Sequence, residues 1–184
     1  MIQKWEKLSS EIVYKKKWMN IKEEACKLPD GQIIDSYIIV DVPHFCNVFV
    51  VTAADEVIMV KQYRHAAGMV SIEMPGGMID EGEDPMVAAR REMQEETGYT
   101  SEEMSLLYAI STNPALESNR AWFFLAKNAV HNQATALDQY EDIELIKYTK
   151  SAFMQCLLNN EFTHGIQLGA MFAAAIELGW LVAP

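Results

Sequence analysis

Cysteine is scarce in this chain. Cys26, Cys46 and Cys156 are the only three in 184 residues, and no two of them stand at CxxC or zinc-ligand spacing. A sparse, odd set excludes a disulfide framework and a cysteine-built zinc site, and reduced thiols make a cytoplasmic protein the expectation. Proline, with six residues, and glycine, with nine, are too few and too scattered to form a linker, and no repeat or low-complexity tract divides the chain. Positive charge is also short, 15 Lys and Arg against 26 Asp and Glu, for a formal net charge of −11. Such a chain repels nucleic-acid backbones and anionic membranes. The one basic run, Lys15-Lys16-Lys17, does not reverse that, so no nucleic-acid partner is expected and an anionic substrate needs a divalent cation. Long apolar runs are missing as well. Met1–Glu6 has no apolar core of a secretory signal. The most apolar stretch, Gly165–Pro184, is interrupted by Gln167 and Glu177 and broken by Gly169 and Gly179, so it reads as a buried helix and no membrane association is expected.

What is present suits a folded core, since half the residues are hydrophobic and 22% are charged. The first part alternates as strands do. Glu11–Trp18, Met19–Leu28 and Ile33–Val42, with a turn at Pro29-Asp30-Gly31, read as an N-terminal antiparallel meander. Phe45–Thr52 and Val57–Tyr63 read as a hairpin, and Met69–Glu73 as a short strand entering Pro75-Gly76-Gly77. The pattern then turns helical, with Asp84 as N-cap, Pro85 in the first turn and Gly98 as the terminator. Strands resume at Glu103–Ser111, Arg120–Lys127 and Ile143–Thr149. Helices at Ser151–Asn159 and His164–Trp180 close the chain. The order predicts an α+β, layered domain with a mixed sheet.

The chemistry concentrates between Gly77 and Tyr99. On a helix, Glu92, Glu95 and Glu96 fall within one arc of about 100°. Like charges at this spacing repel, and near a helix C-terminus the macrodipole disfavours them further. A divalent cation reverses that balance, and an oxygen-only donor set favours Mg²⁺ or Mn²⁺ over zinc. A solvated acidic face is the competing reading. Three neighbours weigh against it. Arg91 lies four residues before Glu95 and can orient a carboxylate. Gly76-Gly77 permits close backbone approach. Glu83 sits in the loop before the helix, where it can fold back towards the same end.

Gly77, Glu83, Arg91, Glu92, Met93, Glu95, Glu96, Gly98 and Tyr99 stand at the spacings of the signature of the Nudix hydrolases, which this chain resembles. The resemblance implies an α/β/α sandwich with a mixed sheet, and hydrolysis at the pyrophosphate of a nucleoside diphosphate linked to another group. It implies Glu92, Glu95 and Glu96 as metal ligands, with the Gly76 carbonyl beside them. Arg91 becomes an orienting residue, and Glu83 a ligand or the partner of Arg91. Gln62-Tyr63-Arg64, Glu73 and Pro114 resemble the ADP-ribose and nucleotide-sugar pyrophosphatase branch. That likeness assigns Arg64 to phosphate, Glu73 to sugar hydroxyls and Trp18 to the base. The chain departs from the branch at Asn113-Pro114-Ala115, where Ala115 replaces a glycine and stiffens the loop.

The general base is expected from the acidic loop Leu137–Ile143, with Glu141 ahead of Glu117. The four histidines read as structural. Residues 1–42 are expected to form a meander that makes a homodimer and buries Trp5, Tyr14, Trp18 and Tyr37, and residues 43–184 to form the hydrolase domain. The expected substrate is a nucleoside diphosphate sugar. Alternatives are a dinucleoside polyphosphate, coenzyme A or RNA 5′-end hydrolase of the same family, or a non-catalytic nucleotide sensor on the same scaffold.

Overall fold

The computed structural model describes residues 1–137 and 139–181; Asp138 and residues 182–184, at the edges of the expected base loop and hydrolase domain, lie outside the described residues. The chain divides into two compact units, Met1–His44 with Ser111–Arg120, and Phe45–Ile110 with the chain from Ala121 on. No helix among the described residues is long and apolar enough to cross a membrane.

In the first unit, β1 (Glu6–Lys16), β2 (Met19–Lys27) and β3 (Ile33–Asp41) form a three-stranded antiparallel meander. The β2–β3 turn is fixed locally. The Gly31 N–H donates to the Leu28 carbonyl at 2.9 Å, with Gly31 at φ +92°, and Asp30 Oδ1 accepts from the Gln32 N–H at 3.0 Å. The segment of residues 111–120 lies along β3: the Val40 N–H donates to Leu116 O at 2.8 Å, and the Tyr37 hydroxyl to Ala115 O at 2.9 Å. Every residue of β1 is exposed, including Leu8, Ile12, Val13 and Tyr14.

The second unit is built on a mixed sheet. Its strands are β4 (Phe45–Val51), β5 (Glu56–Arg64), β6 (Met69–Glu73), β8 (Glu103–Ser111), β9 (Arg120–Lys127) and β11 (Ile143–Thr149), in the order β11-β5-β4-β9-β8 with β6 also on β5. β4 runs parallel to β9, while β11, β4 and β6 are antiparallel to β5. Two short strands, β7 (Tyr99–Thr100) and β10 (Val130–His131), pair apart from it. They escape sequence reading because two residues carry no period.

Alternation sends the side chains of one strand to opposite faces. Cys46, Val48 and Val50 pack with Ile58 and Phe124 against Ala88, Ala89 and Met93 of α1 (Pro85–Thr97). Phe49, Val51, Val57, Met59 and Phe123 pack against Phe153 and Leu157 of α2 (Lys150–Leu158), and against Ala170, Met171 and Ala174 of α3 (Gly165–Glu177). The result is the expected α/β/α sandwich. Full burial of each large apolar side chain stabilises the fold by about 1.5–3 kcal/mol.

One irregularity positions the chemistry. β4 pairs with β5 only at Val50↔Ile58 and Val51↔Val57, and β6 takes over from Val60↔Glu73 to Arg64↔Met69. β5 thus changes partner partway along. The chain leaving β6 then runs beside β4, where Val48 N–H donates to Pro75 O and Cys46 N–H to Gly77 O, both at 2.9 Å.

Candidate active site

The helix that carries the glutamates is set by local signals. Asp84 Oδ1 accepts from the N–H groups of Met86 and Val87, Pro85 occupies the first turn, and Gly98 at φ +70° ends the helix by donating to Gln94 O. These fix the rotation of α1, which buries Glu92 and Glu96 and leaves Glu95 half-buried.

Arg91 is the centre of the cluster. Its Nε and Nη2 form a fork on Glu83, at 3.1 Å to Oε1 and 2.9 Å to Oε2. Its Nη1 donates to Glu92 Oε1 at 2.8 Å and to Glu95 Oε2 at 3.2 Å, and Nη2 also reaches Met78 O. One guanidinium therefore gathers three carboxylates, and its own pKa rises far above the ordinary value, with the Glu83 hydrogen bonds the largest cause. The Arg91 hydrogen bonds hold Glu83 below the usual carboxylate range.

Glu96 is bound differently. Its Oε2 accepts the Gly76 N–H at 2.7 Å. Burial, with repulsion from Glu92 and Glu141, pushes its pKa up to about 8 against the pull of that hydrogen bond. Burial also raises Glu92, helped by Glu95 and Glu141 and opposed by Arg91. Glu141 thus acts electrostatically on both buried glutamates.

Gly76 is sterically required: a Cβ there would stand 2.1 Å from the backbone Cys46 O, whereas one on Gly77 would meet the carboxylate end of the Glu92 side chain at 2.5 Å. Since Pro75 O and Gly77 O are engaged by β4, the Gly76 carbonyl is left outside that pairing. Among the described residues no three His, Cys, Asp or Glu side chains are already gathered round one cation position. The donor set nevertheless fits a hard divalent cation. It is all oxygen, and Glu96 is held in a position where it resists carrying its charge alone.

A second ion pair lies at the end of β5. Arg64 Nε and Nη2 grip Glu73 Oε1 and Oε2 at 2.9 and 2.6 Å. The Glu73 side chain is wholly buried, whereas that of Arg64 is 45% exposed. Burial would raise the Glu73 pKa, but Arg64 outweighs it and the net shift is downward. His164 Nε2 stands 3.9 Å from Glu73 Oε2.

The remaining candidates lie in the first unit. Trp18 sits in the β1–β2 turn, more than half exposed, with Lys17 Nζ 4.1 Å above its ring centre. Glu117 Oε2 accepts the Thr112 hydroxyl at 2.8 Å. Sequence reading gave no site role to Cys46, Asn47 or Gln167, which hold the glycine loop. Their partners are backbone atoms, and only Gln167 left a trace, as a lone amide in an apolar run.

Residues 43–153 match the model of the NUDIX domain, and residues 5–40 match the nucleoside diphosphate sugar hydrolase N-terminal domain. The chain is similar to a methanol dehydrogenase activator of Bacillus methanolicus, 31% identical over 80% of each chain. It is similar also to an ADP-ribose pyrophosphatase of Bacillus subtilis, 32% identical over 77% of each. A crystal structure of an ADP compounds hydrolase superposes with a TM-score of 0.84 at 20% identity, covering 98% of this chain and 97% of the other, which shows a shared fold.

Proposed function

The chain belongs to the Nudix family and is a pyrophosphatase hydrolase, and from that premise we propose metal-dependent hydrolysis of nucleoside diphosphate sugars of the ADP-ribose kind. The products are a nucleoside monophosphate and a sugar phosphate. The carrying observation is Arg91, which draws Glu83, Glu92 and Glu95 together beside a buried Glu96 fixed on the Gly76 N–H.

Glu92, Glu95, Glu96 and the Gly76 carbonyl would hold Mg²⁺ or Mn²⁺, with Glu83 completing the set or anchoring Arg91. When bound, the cation neutralises diphosphate charge and polarises the attacked phosphorus. The chain's own groups do the rest. Glu141 takes the proton of the attacking water as oxygen joins phosphorus and the bridging P–O bond breaks. Arg64 donates to phosphate oxygens, and Glu73, assigned by resemblance to the sugar hydroxyls, is wholly buried with both oxygens on Arg64, so its part is to orient that guanidinium. Trp18 stacks on the base, within a homodimer formed through the meander. The exposed apolar side chains of β1 support that assembly. The net charge of −11 supports a small, metal-borne substrate over an RNA end, and the free cysteines support a reducing compartment such as the cytoplasm.

The test is product analysis with ADP-ribose, ADP-glucose, GDP-mannose and UDP-glucose in ¹⁸O-water with Mg²⁺. Label should enter the nucleoside monophosphate or the sugar phosphate. Inorganic phosphate as the first product from an intact substrate would overturn the proposal.

A further inference from the structure

The loop Met74–Gly77 is held from three elements, and one of them lies beyond the matched domain. β4 takes Pro75 O and Gly77 O, α1 takes the Gly76 N–H through Glu96, and α3 takes the Met74 N–H through Gln167. Gln167 Oε1 accepts that N–H at 2.8 Å, and the side chain is 1% exposed. The NUDIX domain match ends at residue 153, while α3 begins at Gly165.

The choice of residue is informative. α3 otherwise buries Ala170, Met171, Ala174 and Ala175. An amide on such a face is unfavourable unless it is hydrogen-bonded, and methionine would fill similar space without that need. The bond it makes falls one residue after Glu73 and two before Gly76. One turn earlier on the same helix, His164 approaches Glu73. The start of α3 thus abuts Glu73 and Met74, the end from which the chain steps from the Arg64 anchor to the Glu96 anchor.

We propose that Gln167 is a positioning residue for the cation site, acting through the Met74 N–H to set Gly76 against Glu96. This rests on the reading that Gly76 and Glu96 serve a divalent cation. With Met74 fixed from one side and Pro75 and Gly77 from the other, the Gly76 peptide has one orientation, and Glu96 is placed by it. Removing the Gln167 oxygen leaves a buried N–H without its acceptor, which frees the loop to turn.

The test is Mn²⁺ binding, read from the EPR signal of the free ion, on wild type, Q167M, Q167E, M171A and E96Q. Q167M should weaken Mn²⁺ binding about tenfold and lower kcat, with KM changed less than about twofold, the pattern of a lost supporting hydrogen bond. Hydrogen exchange at the Gly76 N–H should quicken. Q167E keeps the acceptor oxygen and should bind Mn²⁺ within about threefold of wild type. M171A removes buried volume from the same helix, and should lower Tm without moving Mn²⁺ affinity. Should Q167M be insoluble, Q167N, which withdraws the oxygen by one methylene, takes its place with the same expectation. Wild-type Mn²⁺ affinity in Q167M beside weakened binding in E96Q overturns this proposal alone. So does equal weakening in M171A. Unchanged binding in E96Q overturns the cation-site reading, and this proposal with it.

Discussion

The backbone N–H of Gly76 and the carboxylate of Glu96, twenty residues apart in sequence, meet at 2.7 Å. That contact joins the two halves of the site, because the loop brings a peptide that only glycine permits and the helix brings the carboxylate most resistant to ionisation. Each half has its own test.

Gly76→Ala addresses the loop. At φ +151° the new Cβ would meet Cys46 O at 2.1 Å and Asn47 Cα at 2.7 Å, both backbone atoms of β4 that cannot move aside. Overpacking and strain together should destabilise the protein by about 2–4 kcal/mol and abolish turnover. Gly165→Ala, where nothing lies within 4 Å, should leave both within error. Thermal melts and an activity assay of the two variants decide this.

Glu96→Gln addresses the carboxylate. The amide oxygen can still accept the Gly76 N–H, so the loop stays in place while the charge is lost. Turnover at saturating Mg²⁺ should fall at least about 10²-fold, with KM less affected. Near wild-type kcat would remove Glu96 from the chemistry.

The titration of Glu96 makes a signed prediction for the metal-free protein. Its folded pKa, about 8, lies above the ordinary carboxylate value of 4.5, so the folded state holds a proton that the unfolded chain releases. Its favourable contribution is complete below pH 4.5 and is lost as pH rises through 8. Glu92 shifts in the same direction, whereas Glu73 and Glu83 are lowered and act in the acid range. Without metal, Tm should therefore fall between pH 5 and 8.5, and less so in Glu96→Gln. Mg²⁺ should raise Tm more at pH 8 than at pH 6. A flat metal-free profile contradicts the burial of a protonated Glu96.

The Arg64–Glu73 pair predicts non-additivity. Arg64→Ala strands a wholly buried carboxylate, and Glu73→Gln removes that charge. The double variant should be more stable than Arg64→Ala alone, with a coupling energy of about 1–3 kcal/mol from a denaturation cycle. Additive effects would mean that the fork contributes nothing to the fold.

Assembly is tested on β1. Ile12→Glu places a charge among the exposed apolar side chains of that strand. Sedimentation should find wild type at twice the 20.8 kDa chain mass and the variant at that mass, with reduced activity. A monomeric wild type at micromolar concentration removes the premise.

The legible parts of the fold were those written in neighbouring residues. Asp84, Pro85 and Gly98 bound α1 by contacts within a turn or so, and the spacing of Glu92, Glu95 and Glu96 follows from helix geometry. The three N-terminal strands were legible by alternation, although β1 begins earlier, at Glu6, and Trp18 lies in the turn. What stayed hidden depends on distant backbone. That a side chain at Gly76 would collide with Cys46 and Asn47 follows from β6 replacing β4 beside β5, and no local pattern encodes that exchange. Arg64 and Glu73 could each be singled out, but as separate contacts. Their pairing needs the β5–β6 register. Gln167 was visible as an interruption, while its partner, a peptide N–H, has no letter in the sequence.

Arg91 has a consequence for life without metal. Three carboxylates on its one guanidinium already have a resident counter-ion, so the helix need not wait for Mg²⁺ before it can fold. On the proposed reading, loading would be an exchange of cations: the incoming ion would compete with Nη1 for Glu92 and Glu95, while the Glu83 fork would keep the displaced guanidinium tethered.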